Sequence, residues 1–422
     1  MGRSFTCKTA RLICLVLALG VLVSMPATAG TRTSAVAHRA SRKSAATTVA
    51  AKRRGSRSHG DVVSGVRVSA SHIRRGGARA VLAVRRTRRT RFTERFTASS
   101  FADNLTLGDA TAGEDPVVRA AAVEALGNMN GTAVAIDPST GRILAMVNQK
   151  LALSSGAEPC STIKLAVSLA ALDEGLINKD TPVNLGGHYT LTLTKALALS
   201  INPYFEQLGR MLGFERVKHY ANQFGLGELA GYNIEGEQLG VYPDQPLPES
   251  QGGVGRMCSF GESISMTPLQ LGALVSAIAN GGTLYYLQHP QSSDEVLNFT
   301  PKVKRILDIA PLIPEMKDGM AGAVDYGTAR SLKVNFREFP VLGKTGTCSN
   351  NGTRFGWFAS YAETPAGRIV TVFFLEGGRP TFGPKAAELT GMFYKGLAER
   401  SYFAPKGQQV AETGMATIRQ AN

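Results

Sequence analysis

Histidine is scarce in this 422-residue chain, and none of it stands where a serine hydrolase would need it. His38, His59 and His72 fall in a basic N-terminal stretch, and His188, His219 and His289 have no G-x-S-x-G partner. A Ser-His-Asp hydrolase is therefore unsupported. Cysteine is sparse too. Cys7 and Cys14 lie within the first 29 residues, which leaves Cys160, Cys258 and Cys348, an odd number without C-x-x-C spacing. No histidines cluster either, so no metal site is read and no cofactor is expected. Acidic residues almost vanish between residues 30 and 98, where 18 Lys and Arg face only Asp61 and Glu94. The whole chain carries +15, so the basicity belongs to this stretch and the remainder is close to neutral.

The start of the chain carries Arg3, Lys8 and Arg11, the apolar run Leu12–Met25 and an Ala27-Thr28-Ala29 site. That order reads residues 1–29 as an export signal. The uncharged stretch runs on to Thr31, so an uncleaved membrane anchor is the alternative. Residues 30–98 are rich in Ala, Ser and Gly without a helical stripe, and are expected to form a disordered basic tether. Arg85–Arg95 (RRTRRTRFTER) would point to nucleic acid in a cytosolic protein. Behind an export signal its expected partners are instead anionic membrane headgroups or anionic wall polymers, with no nucleic acid. A solvated linker without a partner is the plain alternative.

Three short strings then follow in order: Ser161-Thr162-Ile163-Lys164, Ser200-Ile201-Asn202 and Lys344-Thr345-Gly346-Thr347. Each is weak alone, and Ser349-Asn350-Asn351 repeats the second pattern without evident meaning. Their context strengthens them. Pro159 precedes Ser161, and Leu165–Leu172 (LAVSLAAL) ends at Asp173-Glu174-Gly175, which predicts a buried helix with Ser161 in its first turn. There the free N–H groups and the helix dipole favour an oxyanion. Lys164, three residues on, shares a face with Ser161. It can serve as a base once burial and the Lys344 charge lower its pKa. The plain alternative is a core helix with an incidental serine and a snorkelling lysine.

The second string follows the helix-like Leu193–Leu199 and precedes Pro203. Its spacing puts Ser200 and Asn202 on one side, for a proton relay and a substrate amide, with Ile201 toward the core; an N-cap or turn pair is the alternative. The third string opens onto Phe355–Ala362 and Arg368–Leu375, two strand-like runs joined by Glu363–Gly367, which predicts an antiparallel hairpin. Gly346 would let a ligand backbone approach the strand. Lys344 and the Thr345 and Thr347 hydroxyls can hold a carboxylate, and the Thr347 N–H can complete an oxyanion hole.

On these residues the chain resembles the penicillin-binding transpeptidase and serine β-lactamase superfamily, whose signature is the S-x-x-K, S-x-N, K-T-G series. Met266–Gln270 with Ile278–Gly282 looks like the T-P-L-Q and I-A-N-G-G segments of penicillin-binding proteins, and Gly327–Arg330 like their G-T-A stretch. Val134–Asp137 and Arg142–Asn148, turning at Pro138–Gly141, match their opening hairpin. One departure is Gly261-Glu262-Ser263, where the family's usual string is G-Q-G. The resemblance spans roughly residues 114–403.

The expected fold is α/β: a central antiparallel sheet covered by helices near 114–126 and 384–400, plus a largely helical lobe over about 151–311. The active site would sit at their junction, and residues 404–422 would form a flexible tail. The tether is too short for the folded pedestal of long penicillin-binding proteins, so one catalytic domain on a tether is expected. The resemblance implies acyl transfer on D-Ala-D-Ala stem peptides of peptidoglycan, on the outer face of the membrane or in the periplasm, with β-lactams as acylating mimics. Ser161 would be the nucleophile and Lys164 its base. Ser200 with Lys344 would relay a proton, and Asn202 would guide the leaving D-alanine. A D,D-carboxypeptidase or serine β-lactamase of the same fold, or a non-catalytic sensor or wall-binding module, are the alternatives. If the Ser161 and Thr347 N–H groups face one oxygen, their neighbours Cys160 and Cys348 come within bridging range. Three buried free cysteines are the other outcome.

Overall fold

The computed structural model describes residues 95–404. The expected export segment, nearly all of the tether and the tail from residue 405 lie outside the described residues. No helix among those described is long and apolar enough to cross a membrane.

Helix α1 (Pro116–Leu126) opens on Asp115, whose carboxylate accepts from the N–H groups of Val117 and Val118, with Pro116 at the first helical position. The hairpin β1 (Gly131–Asp137) and β2 (Arg142–Val147) follows, as the sequence predicts. The central lobe contributes α2 (Lys164–Asp173), α3 (Leu193–Leu199), α4 (Asn202–Leu212), α5 (Gly253–Phe260) and α6 (Pro268–Asn280). Helix α7 (Ile313–Asp325) leads back to the strands β3 (Val341–Asn350), β4 (Thr353–Thr364) and β5 (Gly367–Gly377), and α8 (Gly383–Glu399) closes the fold.

The five strands form one antiparallel sheet in the order β2-β1-β5-β4-β3, so the strand carrying Lys344 is an edge. Both faces are covered, and the alternation of side chains divides them. Val134, Ile136, Trp357 and Phe374 enter the core shared with the lobe. Their neighbours Ala133, Ala135, Phe358 and Phe373 enter the core under α1 and α8.

Helix α6 carries the T-P-L-Q and I-A-N-G-G strings, and its residues 268–279 are all buried. Thr267 and Gln270 make a reciprocal capping box around Pro268. At the far end Asn280 donates to the carbonyls of Pro138 and Thr283, tying the helix to the β1–β2 turn. These strings are thus the start and stop of the helix that seats the lobe on the sheet.

Two features differ from the sequence expectation. The lobe is helical only in part: residues 224–248 contain no helix, and two short ribbons (Val183–Asn184 with Thr190–Leu191, Thr283–Tyr285 with Val303–Ile306) are present. Order also begins before residue 114. Thr97 donates its N–H to Gly352, and the Ser100 hydroxyl accepts from Gly378 N–H. Asp109 pairs with Arg119 at 2.6 Å and accepts from the N–H groups of Asn148 and Gln149.

Candidate active site

The Ser161–Lys164 string lies at the junction of lobe and sheet. Cys160–Ile163 form a 3-10 turn that runs directly into α2, so Ser161 stands just ahead of the α-helix rather than inside its first turn. Thr162 fastens the turn with its N–H and hydroxyl on the Pro159 carbonyl, at 3.1 and 2.6 Å. Residues Leu165–Leu172 are buried on every side, as the apolar run requires. Gly175 sits at φ +64°, in the left-handed backbone that follows a helix stop.

Lys164 begins α2 and is fully buried. Its Nζ lies 3.0 Å from Ser161 Oγ, 3.0 Å from the Ser200 carbonyl, 3.1 Å from Ser200 Oγ and 2.6 Å from Asn202 Oδ1. Four oxygens surround a group that has three protons when charged. A neutral amine fits the set: it donates to the carbonyl and the amide oxygen and accepts the Ser161 hydroxyl proton. Burial, and then the Lys344 charge, push its pKa well below the usual lysine range, against a weaker opposing pull from Glu206.

Lys344 is also fully buried. Its Nζ donates to Ser200 Oγ at 2.8 Å and to the Thr345 carbonyl at 2.8 Å, and burial pushes its pKa down to about 7. Ser200 is held at the end of α3 in the left-handed conformation (φ 57°, ψ 44°), an uncommon one for serine. Such outliers gather where a side chain must be aimed. Asn202 opens α4 and spends its oxygen on Lys164, which leaves its NH₂ as the group able to address a carbonyl.

Along β3, Thr345 and Thr347 share one face of the strand. The Thr345 hydroxyl meets that of Thr328 at 2.6 Å, and Thr347 accepts the Gly383 N–H at 2.8 Å. Each contact fixes a hydroxyl, and Thr347 retains its own proton for donation. Gly346 has a role that its sequence reading missed. A Cβ there would stand 2.9 Å from the Pro159 carbonyl and 3.1 Å from Thr162 Cγ2. The sheet face at Gly346 is thus filled by the Pro159–Thr162 turn, while β3 remains an edge strand.

Cys160 and Cys348 form a disulfide with Cα atoms 5.5 Å apart, and Cys258 is a buried free thiol. Trp357 on β4 adds a second tie, donating Nε1 to the Glu158 carbonyl at 3.0 Å. The Glu158 carboxyl is raised to about 7, first by burial and then by Glu262, with Arg256 opposing. Gly261 packs on Pro159, so the departing Gly261-Glu262-Ser263 string borders the turn that carries Ser161. The isolation of Trp357 as the chain's single tryptophan, just after K-T-G, was its only signal in the sequence. A separate cavity of 1050 Å³, lined by residues such as Asp137, Arg142, Asn280 and Arg368, includes no residue of the Ser161–Lys164, Ser200–Asn202 or Lys344–Thr347 strings.

Comparison with known proteins identifies the family. Residues 131–394 match the family described as "Penicillin binding protein transpeptidase domain". The chain belongs to that family. The match includes all three strings and ends within α8.

Among curated relatives, Stage V sporulation protein D of Bacillus subtilis is 31% identical over 258 residues, 51% of this chain and 39% of that protein. Peptidoglycan D,D-transpeptidase FtsI of Escherichia coli is 26% identical over 56% of this chain and 44% of its own length. The chain thus matches less than half the length of either relative. Among solved structures, a peptidoglycan glycosyltransferase from Burkholderia ambifaria superposes with a TM-score of 0.58 at 21% identity, over 70% of this chain and 98% of that one. The D,D-transpeptidase domain from Eggerthella lenta gives 0.53 at 21% identity, over 68% and 82%. These two likenesses establish the fold: an antiparallel sheet between terminal helices and a lobe, as the sequence predicts.

Proposed function

We propose that this protein is a serine D,D-transpeptidase acting on D-Ala-D-Ala stem peptides of peptidoglycan, and that penicillin acylates it at Ser161. The observation that carries the reading is the buried Lys164 amine, 3.0 Å from Ser161 Oγ and electrostatically pressed by Lys344. Family membership and the names of the relatives agree with it.

In the proposed reaction Lys164 takes the Ser161 proton as Oγ attacks the carbonyl between the two terminal D-alanines. The Ser161 and Thr347 N–H groups hold the oxyanion, β3 being an edge strand whose outward amides are open to a ligand. The Lys344 charge and the Thr345 and Thr347 hydroxyls receive the substrate's terminal carboxylate. Ser200 passes a proton to the departing amine and is resupplied by the lysine pair, while the Asn202 NH₂ steadies the peptide. An acceptor amine then takes the acyl group and forms the cross-link, or water takes it and the outcome is carboxypeptidase.

Export through residues 1–29 would place the domain outside the cytoplasmic membrane, with the basic tether on anionic lipid or wall polymer. Incubation with a fluorescent penicillin and a pentapeptide donor, with and without an acceptor amine, tests the activity. Labelling together with dimeric product supports transpeptidation. Labelling with free D-alanine alone assigns hydrolysis, and no labelling refutes the reading.

A further inference from the structure

The backbone at Cys160 is left-handed, with φ +52°, immediately before the nucleophile. Residues with a Cβ adopt this region reluctantly, and glycine occupies it freely. Cys160 is nonetheless fully buried there, bonded to Cys348. Each half of the bridge adjoins one of the two residues whose amides were assigned to the oxyanion: Cys160 precedes Ser161 and Cys348 follows Thr347. The remaining ties between turn and strand are noncovalent: the docking of Gly346 on Pro159, and the hydrogen bond from Trp357 to Glu158.

We infer that the Cys160–Cys348 disulfide is a positioning element for acylation, holding Cys160 left-handed so that the Ser161 amide stays opposite Thr347, and that reduction slows the enzyme. The inference rests on the acyltransferase reading above. Cys348 is the less buried partner, so a dithiol reductant would attack its sulfur and expel the Cys160 thiolate. Two electrons and two protons pass to the cysteines, leaving two thiols, and the reductant becomes its own disulfide. Released, Cys160 can relax out of the left-handed region and carry the Ser161 amide with it. A displacement of about 1 Å suffices to cost a large factor in rate. In an oxidising compartment the bridge persists, so activity follows the redox state outside the membrane.

The test is the rate of fluorescent-penicillin acylation, measured on oxidised protein, on protein reduced with dithiothreitol and then reoxidised, and on two variants. Cys348→Ala removes the bridge and leaves Cys160 in place. Cys160→Gly combined with Cys348→Ala also removes it, but supplies a residue that accepts φ +52° without cost. Both variants lose the loop-closing stability of the bridge equally, so the difference between them isolates positioning. The expected result is acylation about tenfold slower in reduced protein and in Cys348→Ala. Reoxidation should restore the wild type, and the double variant should recover most of the rate and ignore reductant. Equal rates in oxidised, reduced and Cys348→Ala protein would overturn the positioning role and leave the function standing. Failure of oxidised wild type to label would overturn the function and, with it, this inference.

Discussion

Lys164 and Lys344, two fully buried lysines from helix α2 of the lobe and strand β3 of the sheet, converge on one hydroxyl: their Nζ atoms lie 3.1 and 2.8 Å from Ser200 Oγ. Two ammonium groups cannot share so small and dry a space at low cost. Burial lowers the pKa of both, and the Lys344 charge lowers that of Lys164 further, which suits Lys164 to the proposed role of base.

A base must release and regain a proton, and arginine does neither. Lys164→Arg is therefore expected to lower the acylation rate constant at least about 100-fold, comparable with Lys164→Ala and typical of losing a general base. Stopped-flow labelling with a fluorescent penicillin measures it. An Arg variant near the wild-type rate would make Lys164 an electrostatic contact only.

The sign of the pH effect follows from the second cation. The Lys344 charge lowers the Lys164 pKa, so its removal in Lys344→Met raises that pKa. Less Lys164 is then neutral at a given pH, and the acid limb of the acylation profile should move to higher pH. Rate constants between pH 5 and 10 check this. A limb that stayed in place or moved down would exclude coupling between the two lysines.

Gly346→Ala should separate rate from stability. Its Cβ would meet the Pro159 carbonyl at 2.9 Å, a backbone atom that cannot swing aside. Overpacking of this kind costs about 1–3 kcal/mol, while the displaced Ser161 turn should lose about 100-fold in acylation. Thermal melts beside labelling rates distinguish the two effects. A large loss of stability with an unchanged rate would contradict the docking role.

Much of this was readable before any coordinates, because the informative residues are local. Ser161 and Lys164 are one turn apart, and the T-P-L-Q string is a capping box written in four residues. The strands after Lys344 announce themselves by β-branched and aromatic runs. What escaped was tertiary. The buried network of Asp109, Arg119, Glu114 and His289 joins residues up to 175 positions apart, and no local period signals it. The Gly346 contact depends on a turn 187 residues earlier, and a left-handed Cys160 violates the residue's own preference. The non-helical stretch at 224–248 was legible in its composition, since it holds five glycines and three prolines.

The contacts made by residues 97–109 bear on truncation. Deleting residues 30–94 behind the proposed export signal should leave acylation of soluble probes within about twofold. Extending the deletion through residue 113 removes the Thr97, Ser100 and Asp109 contacts and should lower the melting temperature by several degrees. The shorter deletion should also weaken sedimentation with anionic vesicles at low salt. Unchanged sedimentation would favour a linker without a partner.

The central claim is that Ser161 is the acylated nucleophile, activated by a neutral Lys164. The most direct measurement is mass spectrometry of the protein after penicillin treatment, digested and sequenced. The account predicts one penicilloyl adduct, on Ser161, in the wild-type protein and none in Ser161→Ala. An adduct on any other residue, or persistent labelling of Ser161→Ala, would contradict it.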